Sequence, residues 1–326
     1  MKPGTVVKKS LPVIVDDEGP DMWVSLELPP DTISMDQAIA EVFAANGVPK
    51  LGGPSGKGWS WYSTMQKCWH LYKRRYVDGD RDKPGIPGTA LEVGVLLHAL
   101  LAVYYSQWIT EGYPLSPQML FDGVVAQGAK PDRANIAWRL MEAYETRYAQ
   151  DYMIPLAVEE YAADPRSGNS CRYDAIVSVE EPPIGMAPGV YVCEHKTSAR
   201  FDATVLDGWR NDGEVIGQMM LWEKAGMAEK YGPCQGVIVN MLGKQKIPQF
   251  TRIVVPPQAW QLDSHERELK VWRAMESLNA ATGTWPRSRA NCVTKFGFCD
   301  YFESCSDNAG TLGVAAATDD TKNNDT

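Results

Sequence analysis

Hydrophobic positions follow two rhythms along this chain. A helix is predicted over 60–77 (SWYSTMQKCWHLYKRRYV), another over the strongly apolar 91–109 (LEVGVLLHALLAVYYSQWI), with His98 in its middle, and a third over 132–150 (DRANIAWRLMEAYETRYAQ). From 155 the pattern shifts to short runs rich in β-branched and aromatic residues. Strands are predicted over 155–163, 170–181 and 189–198, separated by Gly/Pro-rich turns such as EPPIGMAPG. A helix follows at 213–230, then strands at 235–242 and 249–256, then a long amphipathic helix over 257–280. Helices, three strands, a helix and two further strands predict an α/β domain with a central mixed sheet flanked by helices.

The two ends read differently. Residues 1–56 form an acidic extension that runs into a Gly-rich linker, with one short helix over 34–47 capped by Ser34 and stopped by Gly47. Residues 306–326 hold few large apolar groups and are expected to be disordered. The body is then a single domain, 57–305. With 44% hydrophobic residues and 11 tryptophans, a 326-residue chain can build a sizeable core. The apolar runs stop short of the roughly 18 residues that span a bilayer, and the N-terminus lacks the apolar core of a signal peptide. A soluble, intracellular (cytoplasmic) protein without a membrane partner is expected.

Net charge is −9, which at first argues against a nucleic-acid partner. Its distribution weakens that objection. Residues 10–49 carry eight acids and no Lys or Arg, and the body 50–305 sums to only −1. Residues 57–85 carry seven Lys/Arg interleaved with Trp and Tyr. That stretch has two readings: a DNA path, with bases on the aromatics and Lys73, Arg74 and Arg75 on phosphates, or a helix with an ordinary solvated face.

The candidate chemistry centres on VYVCEHKTSA, 190–199. In a strand, side chains alternate faces, so Glu194 and Lys196 share one side while Cys193 and His195 take the other. Asp174 lies on the preceding strand, with nineteen residues between it and Glu194, and a hairpin would bring it beside the pair. Two carboxylates and a lysine suit phosphodiester hydrolysis. The carboxylates hold Mg²⁺ or Mn²⁺, the metal neutralises the phosphate and acidifies a water, and the lysine orients that water or stabilises charge. Glu159 and Glu160, one strand earlier, read as a solvated edge, with an extra metal ligand as the alternative. Gln218 and Trp222 stand four apart on the following helix and share a face.

The ordered set His98, Asp174, Glu194-His195-Lys196 and Gln218-Met-Met-Leu-Trp222 resembles the PD-(D/E)XK nuclease superfamily. Within it, the set is most similar to the RecB-like branch that includes CRISPR adaptation exonucleases and phage recombination nucleases. The resemblance covers roughly 60–305 and implies a restriction-endonuclease-like sheet. It implies metal binding by His98, Asp174, Glu194 and the main-chain carbonyl of His195. Catalysis would fall to Lys196 with Asp174 and Glu194, and Gln218 would position DNA. Trp222 stands where the family has Tyr, which leaves base stacking as its implied role. Arg172 stands where the family usually has Gly.

Seven cysteines, an odd number, argue against a disulfide framework. Three crowd together as Cys292-x6-Cys299-x5-Cys305, a metal-site or cluster spacing. The resemblance supplies a fourth, Cys68, and implies a 4Fe–4S cluster that staples the helical part to the C-terminal segment; structural Zn²⁺ is the alternative. The function so implied is a metal-dependent DNA nuclease, an exonuclease by family branch, acting in recombination, repair or phage DNA processing. The alternative is a non-catalytic iron–sulfur or zinc DNA-binding adaptor. The acidic extension would suit docking to a recombinase or a single-strand-binding protein, or mimicry of DNA at the groove.

Overall fold

The computed structural model describes residues 57–80, 89–113, 118, 121–122, 131–294, 297–299, 301–302 and 304–305. All of them belong to a compact unit, Ile33–Thr326. The expected extension 1–56 with its short helix, and the tail 306–326, lie outside the described residues.

Five strands form one sheet: β1 (Met153–Ala163), β2 (Ser170–Val179), β3 (Gly189–Ser198), β4 (Cys234–Gly243) and β5 (Gln249–Val255), in that spatial order. Neighbours pair antiparallel except β3 and β4, which run parallel. A parallel pair needs a crossover. Here it is made by α5 (Ala203–Gly208), α6 (Gly213–Lys224) and α7 (Met227–Tyr231). The mixed α/β sheet expected from the pattern is therefore present. The predicted helix over 213–230 is two helices, because Gly226 adopts a left-handed φ of 72° that ends α6.

Helices cover both faces. On one side α3 (Thr89–Glu111) and α4 (Pro131–Arg147) pack Leu96, Leu97, Leu100, Leu101, Leu140 and Met141 against Ala175, Val177, Cys193 and Ile238. On the other, Val215, Met219 and Trp222 of α6 pack against Tyr173, Ile176, Val192 and Val239. Outside α6 lie α1 (Trp59–Lys67), α2 (Trp69–Tyr72) and α8 (Ala259–Thr282), joined by an aromatic cluster around Trp61, Tyr62, Trp69 and Tyr72.

Two sequence expectations change here. The segment Val93–Glu111, at 19 residues and mean hydropathy 1.3, is long and apolar enough to cross a membrane, contrary to the reading of the sequence. More than half of it is buried in this fold, so its apolarity serves the core. The predicted helix 60–77 breaks at Cys68, whose φ of −170° and ψ of 121° are extended, and resumes as α2 followed by a π-helical turn, Lys73–Val77.

One buried ion pair ties the fold together on the α3–α4 side. Arg252 of edge strand β5 grips Asp151, just before edge strand β1, through contacts of 2.5 and 2.6 Å, and also donates to Tyr144 Oη of α4 at 3.1 Å. Only 5% of the Arg252 side chain and 1% of Asp151 are exposed. Removing one partner leaves a buried charge uncompensated, so Arg252→Met is expected to cost about 3–5 kcal/mol. Urea denaturation checks this, and a loss below about 1 kcal/mol, the scale of a surface pair, would contradict it.

Candidate active site

The site forms where β2 and β3 meet α3 and α6. Gly94 brings α3 against β3: a Cβ there would lie 3.3 Å from Thr197 Oγ1. One turn further on, His98 Nδ1 lies 3.6 Å from Asp174 Oδ2. The same Asp174 oxygen accepts the His195 backbone N–H at 2.8 Å, which locks β2 to β3. On α6, Asp212 caps the helix by accepting the Glu214 N–H at 2.8 Å. That start presents Glu214 and Gln218, four residues apart, to β3.

Glu194 is nearly fully buried, and both its oxygens are engaged. Lys196 Nζ lies 2.6 Å from Oε1, and Gln218 Nε2 donates to Oε2 at 2.6 Å. Lys196 also reaches Glu214 Oε2 at 2.7 Å, with the Trp209 ring 5.5 Å from its ammonium. Burial, then Asp174, push the Glu194 carboxyl up, and Lys196 opposes the shift. Burial would favour neutral lysine, but Glu194 and Glu214 outweigh it and hold Lys196 well above its ordinary value. Lys196 is therefore a fixed cation: it can donate hydrogen bonds and stabilise negative charge. Burial would likewise raise Asp174, yet His98 holds it well below the usual carboxylate range, and Asp174 in turn raises His98.

The strand beside Asp174 is irregular. Glu159 of β1 lies between the pairs Val158–Ala175 and Glu160–Tyr173, directly across from Asp174. Its φ of 53° makes it the one non-glycine residue with positive φ among the described residues. Such a conformation costs of order 1–3 kcal/mol and must be held by its surroundings. Arg172 does this by donating to the Glu159 carbonyl at 2.9 Å. Glu159 is buried, so the solvated-edge reading fails for it. Glu160 does face solvent and pairs with Lys230 at 2.6 Å.

His195 points its side chain to the opposite face, as strand alternation requires. There it stacks on Tyr105 with centroids 5.6 Å apart, and Nδ1 lies 2.9 Å from Asn240 Nδ2. Burial pushes its imidazole down to about 3, so it is neutral. Trp222 is 1% exposed, and its indole N–H donates to the Gly232 carbonyl at 2.9 Å. It is a core residue and has no face free for a base, which corrects the stacking role expected of it. Lys73 pairs with Asp78 at 2.6 Å. Arg74 binds Asp80 and Ser304 and lies 4.4 Å from the Tyr301 ring, and Arg75 also engages Tyr301. These arginines anchor the C-terminal segment.

The residues fit a hard divalent cation by donor chemistry. Two repelling carboxylates on neighbouring strands, a third at Glu159 and an imidazole share one space. Among the described residues no three His, Cys, Asp or Glu side chains converge tightly enough to hold an ion as they stand. Glu194 spends both oxygens on Lys196 and Gln218, and would have to release one. Of the four expected cluster cysteines, Cys68 Sγ accepts the Ser288 N–H at 3.5 Å, and Cys292 Sγ lies 3.8 Å from the Ser288 carbonyl. The Cys299 N–H donates to the Cys292 carbonyl at 2.9 Å. The segment carrying these thiols thus docks on the break at Cys68. Two residues lay beyond the sequence reading, Glu214 and Asn240. Glu214 could have been found from its i, i+4 spacing to Gln218. Asn240 gave no signal, and neither did the burial of Glu159, which the sequence had offered only as an alternative ligand.

No protein-family model matches the chain, and no curated protein matches it. Solved structures do match. One is a "putative exonuclease" from Eubacterium rectale, 13% identical, with a TM-score of 0.43 over 81% of this chain and 90% of that chain.

Burial, then Asp174, raise Glu159 from 4.5 to about 7. The folded chain then keeps a proton that the unfolded chain has already released, so stability falls as pH rises through this window. Glu159→Gln removes that slope. In chelator-containing buffer the variant is expected to gain up to about 3 kcal/mol on the wild type between low and neutral pH. Urea unfolding on both sides of the window measures the gain, and parallel stability–pH curves would refute it.

Proposed function

We propose that this protein is a divalent-cation-dependent deoxyribonuclease that hydrolyses phosphodiester bonds, with exonuclease action as its mode. The observation that carries the reading is the buried Glu194 clamped between Lys196 and Gln218, beside the Asp174–His98 pair. A stability-driven core has little use for this arrangement, since buried charges are costly and apolar replacements often serve as well.

In this reading Asp174, Glu194, His98 and the His195 main-chain carbonyl would hold Mg²⁺ or Mn²⁺. When bound, the ion supplies charge neutralisation at the phosphate and acidifies a water. The chain's own residues do the rest. Lys196, a permanent cation, donates to the attacking oxygen and to the charge that builds on phosphorus. Water oxygen bonds to phosphorus and releases a proton to solvent as the P–O bond to the leaving nucleotide breaks, and the leaving oxygen takes up a proton from solvent. Glu214 holds the ammonium in place, and Gln218 holds Glu194. His98 and the His195 N–H fix the Asp174 carboxylate. Cys68, Cys292, Cys299 and Cys305 are proposed to carry a 4Fe–4S cluster. Support comes from the docking of their segment on the Cys68 break and from the odd, crowded cysteine count.

Two experiments test this. Labelled single- and double-stranded DNA incubated with Mn²⁺ should be cut, with EDTA stopping the reaction. Lys196→Ala should lower the rate at least about a hundredfold, the scale of losing one charge-stabilising donor, with the circular dichroism unchanged. Cleavage at the wild-type rate by a folded Lys196→Ala protein would refute the assignment. Anaerobically purified protein should show broad visible absorbance that Cys68→Ser bleaches; a colourless protein containing neither iron nor zinc would remove the cluster proposal.

A further inference from the structure

Lys196 Nζ touches two carboxylates at once, Glu194 Oε1 at 2.6 Å and Glu214 Oε2 at 2.7 Å. The two differ in their surroundings. The Glu194 side chain is 4% exposed and that of Glu214 33%, with Lys196 between them at 20%. Glu194 is therefore the inner partner of the ammonium and Glu214 the outer one. Glu214 is fixed in this place by the first turn of α6, where Asp212 accepts its N–H and the start of the helix favours a carboxylate.

A divalent cation at Glu194 needs one of that residue's oxygens, and a donor holds each of them. The two donors are not equally hard to displace. Gln218 is buried, and its Oε1 already has no hydrogen-bond partner. Taking Glu194 away from its Nε2 would leave both ends of one buried amide unpaired, at a cost of about 1–3 kcal/mol for each group. Lys196 meets no such loss. Its ammonium carries three donors and keeps Glu214 at 2.7 Å, on the more exposed side. The contact that gives way is therefore Lys196 to Glu194, and Glu214 is the reason.

We propose that Glu214 is a positioning residue that receives Lys196 when Glu194 turns an oxygen to the cation. The inference deepens, and rests on, the nuclease reading. Lys196 passes from a bridge between two carboxylates to a single contact with Glu214. That frees Glu194 Oε1 and leaves two ammonium hydrogens for the water and the phosphate. Glu214 acts through Lys196 and is itself no metal ligand. Without it, Lys196 would keep Glu194 as its remaining carboxylate contact among the described residues and would compete with the ion for it.

The test follows Mn²⁺ binding to the full chain without DNA, read from the paramagnetic resonance of the free ion. Glu214→Gln is expected to weaken binding roughly tenfold, within the range of coupling between groups in contact. In a Lys196→Met background the same change should move the affinity less than about twofold, because no ammonium remains to be received. A carboxylate that merely attracts the ion from a distance would lower affinity equally in both backgrounds, and that result overturns the inference. If Lys196→Met fails to fold, salt decides with the single variant at the half-exposed Glu214. Its loss of affinity should persist at about 0.5 M salt, where a distant charge is screened; a loss that salt abolishes also overturns the inference. Wild-type protein that binds no Mn²⁺ would refute the nuclease reading and this inference together. Wild-type binding combined with either negative result removes the role of Glu214 and leaves the nuclease reading standing.

Discussion

Two carboxylates on adjacent strands, Asp174 and Glu194, occupy one largely buried space, and the elements around them supply what makes that tolerable. Their repulsion would favour protonating one of them. Lys196 opposes this for Glu194 from two residues along the same strand without reversing it, and His98 prevents it for Asp174 from the facing helix. Neither counter-charge stands alone: Glu214 shares the lysine, and the His195 N–H shares Asp174. A charged site with this much mutual dependence cannot be built by one element, and four elements meet at it.

Strand β3 is the pivot of that arrangement because its alternation serves two purposes. One face carries Glu194 and Lys196 towards α6. The other carries Cys193 and His195 into a polar layer within the α3–α4 core. There Asn240, Tyr144, Tyr105, Arg252 and Asp151 form a continuous set of contacts from His195 to the edge of the sheet. The backbone that presents the His195 N–H to Asp174 is thus held from below by a neutral, stacked imidazole. Across the sheet, Arg172 holds Glu159 in its left-handed conformation, so the strands on both sides of Asp174 are fixed by side chains as well as by pairing.

The helical part outside α6 has its own logic. Aromatic packing joins α1, α2 and α8, and the C-terminal segment returns to the break at Cys68 through Ser288, Asn291 and Pro286. Arg74 and Arg75, which in sequence look like a phosphate-binding run, hold Tyr301 of that segment. A basic–aromatic stretch has the same composition whether it meets DNA or another part of its own chain. Only its neighbours distinguish the two.

Much of this was legible along the chain. Periodicity located all five strands to within two residues, and alternation alone put Glu194 and Lys196 on one face and His195 on the other. The hairpin spacing placed Asp174 beside them, and helical spacing put Gln218 on a shared face. These properties are local, set by dihedral geometry and side-chain period. What lay outside local reach depended on contacts between distant segments. Trp222 matched a motif position, yet its surroundings made it core. Glu159 resembled an edge residue, yet its place across the β1–β2 pairing from Asp174 buried it. Cys68 lay in a continuous helical pattern that the docking segment interrupts. The apolar 93–111 run met the length and hydropathy of a membrane span, and packing against the sheet made it a core helix. The sequence by itself determined which residues come together at the candidate site and which way each strand faces. The tertiary structure decided which charges compensate one another, because burial and proximity between elements far apart in the chain set the cost of each charge.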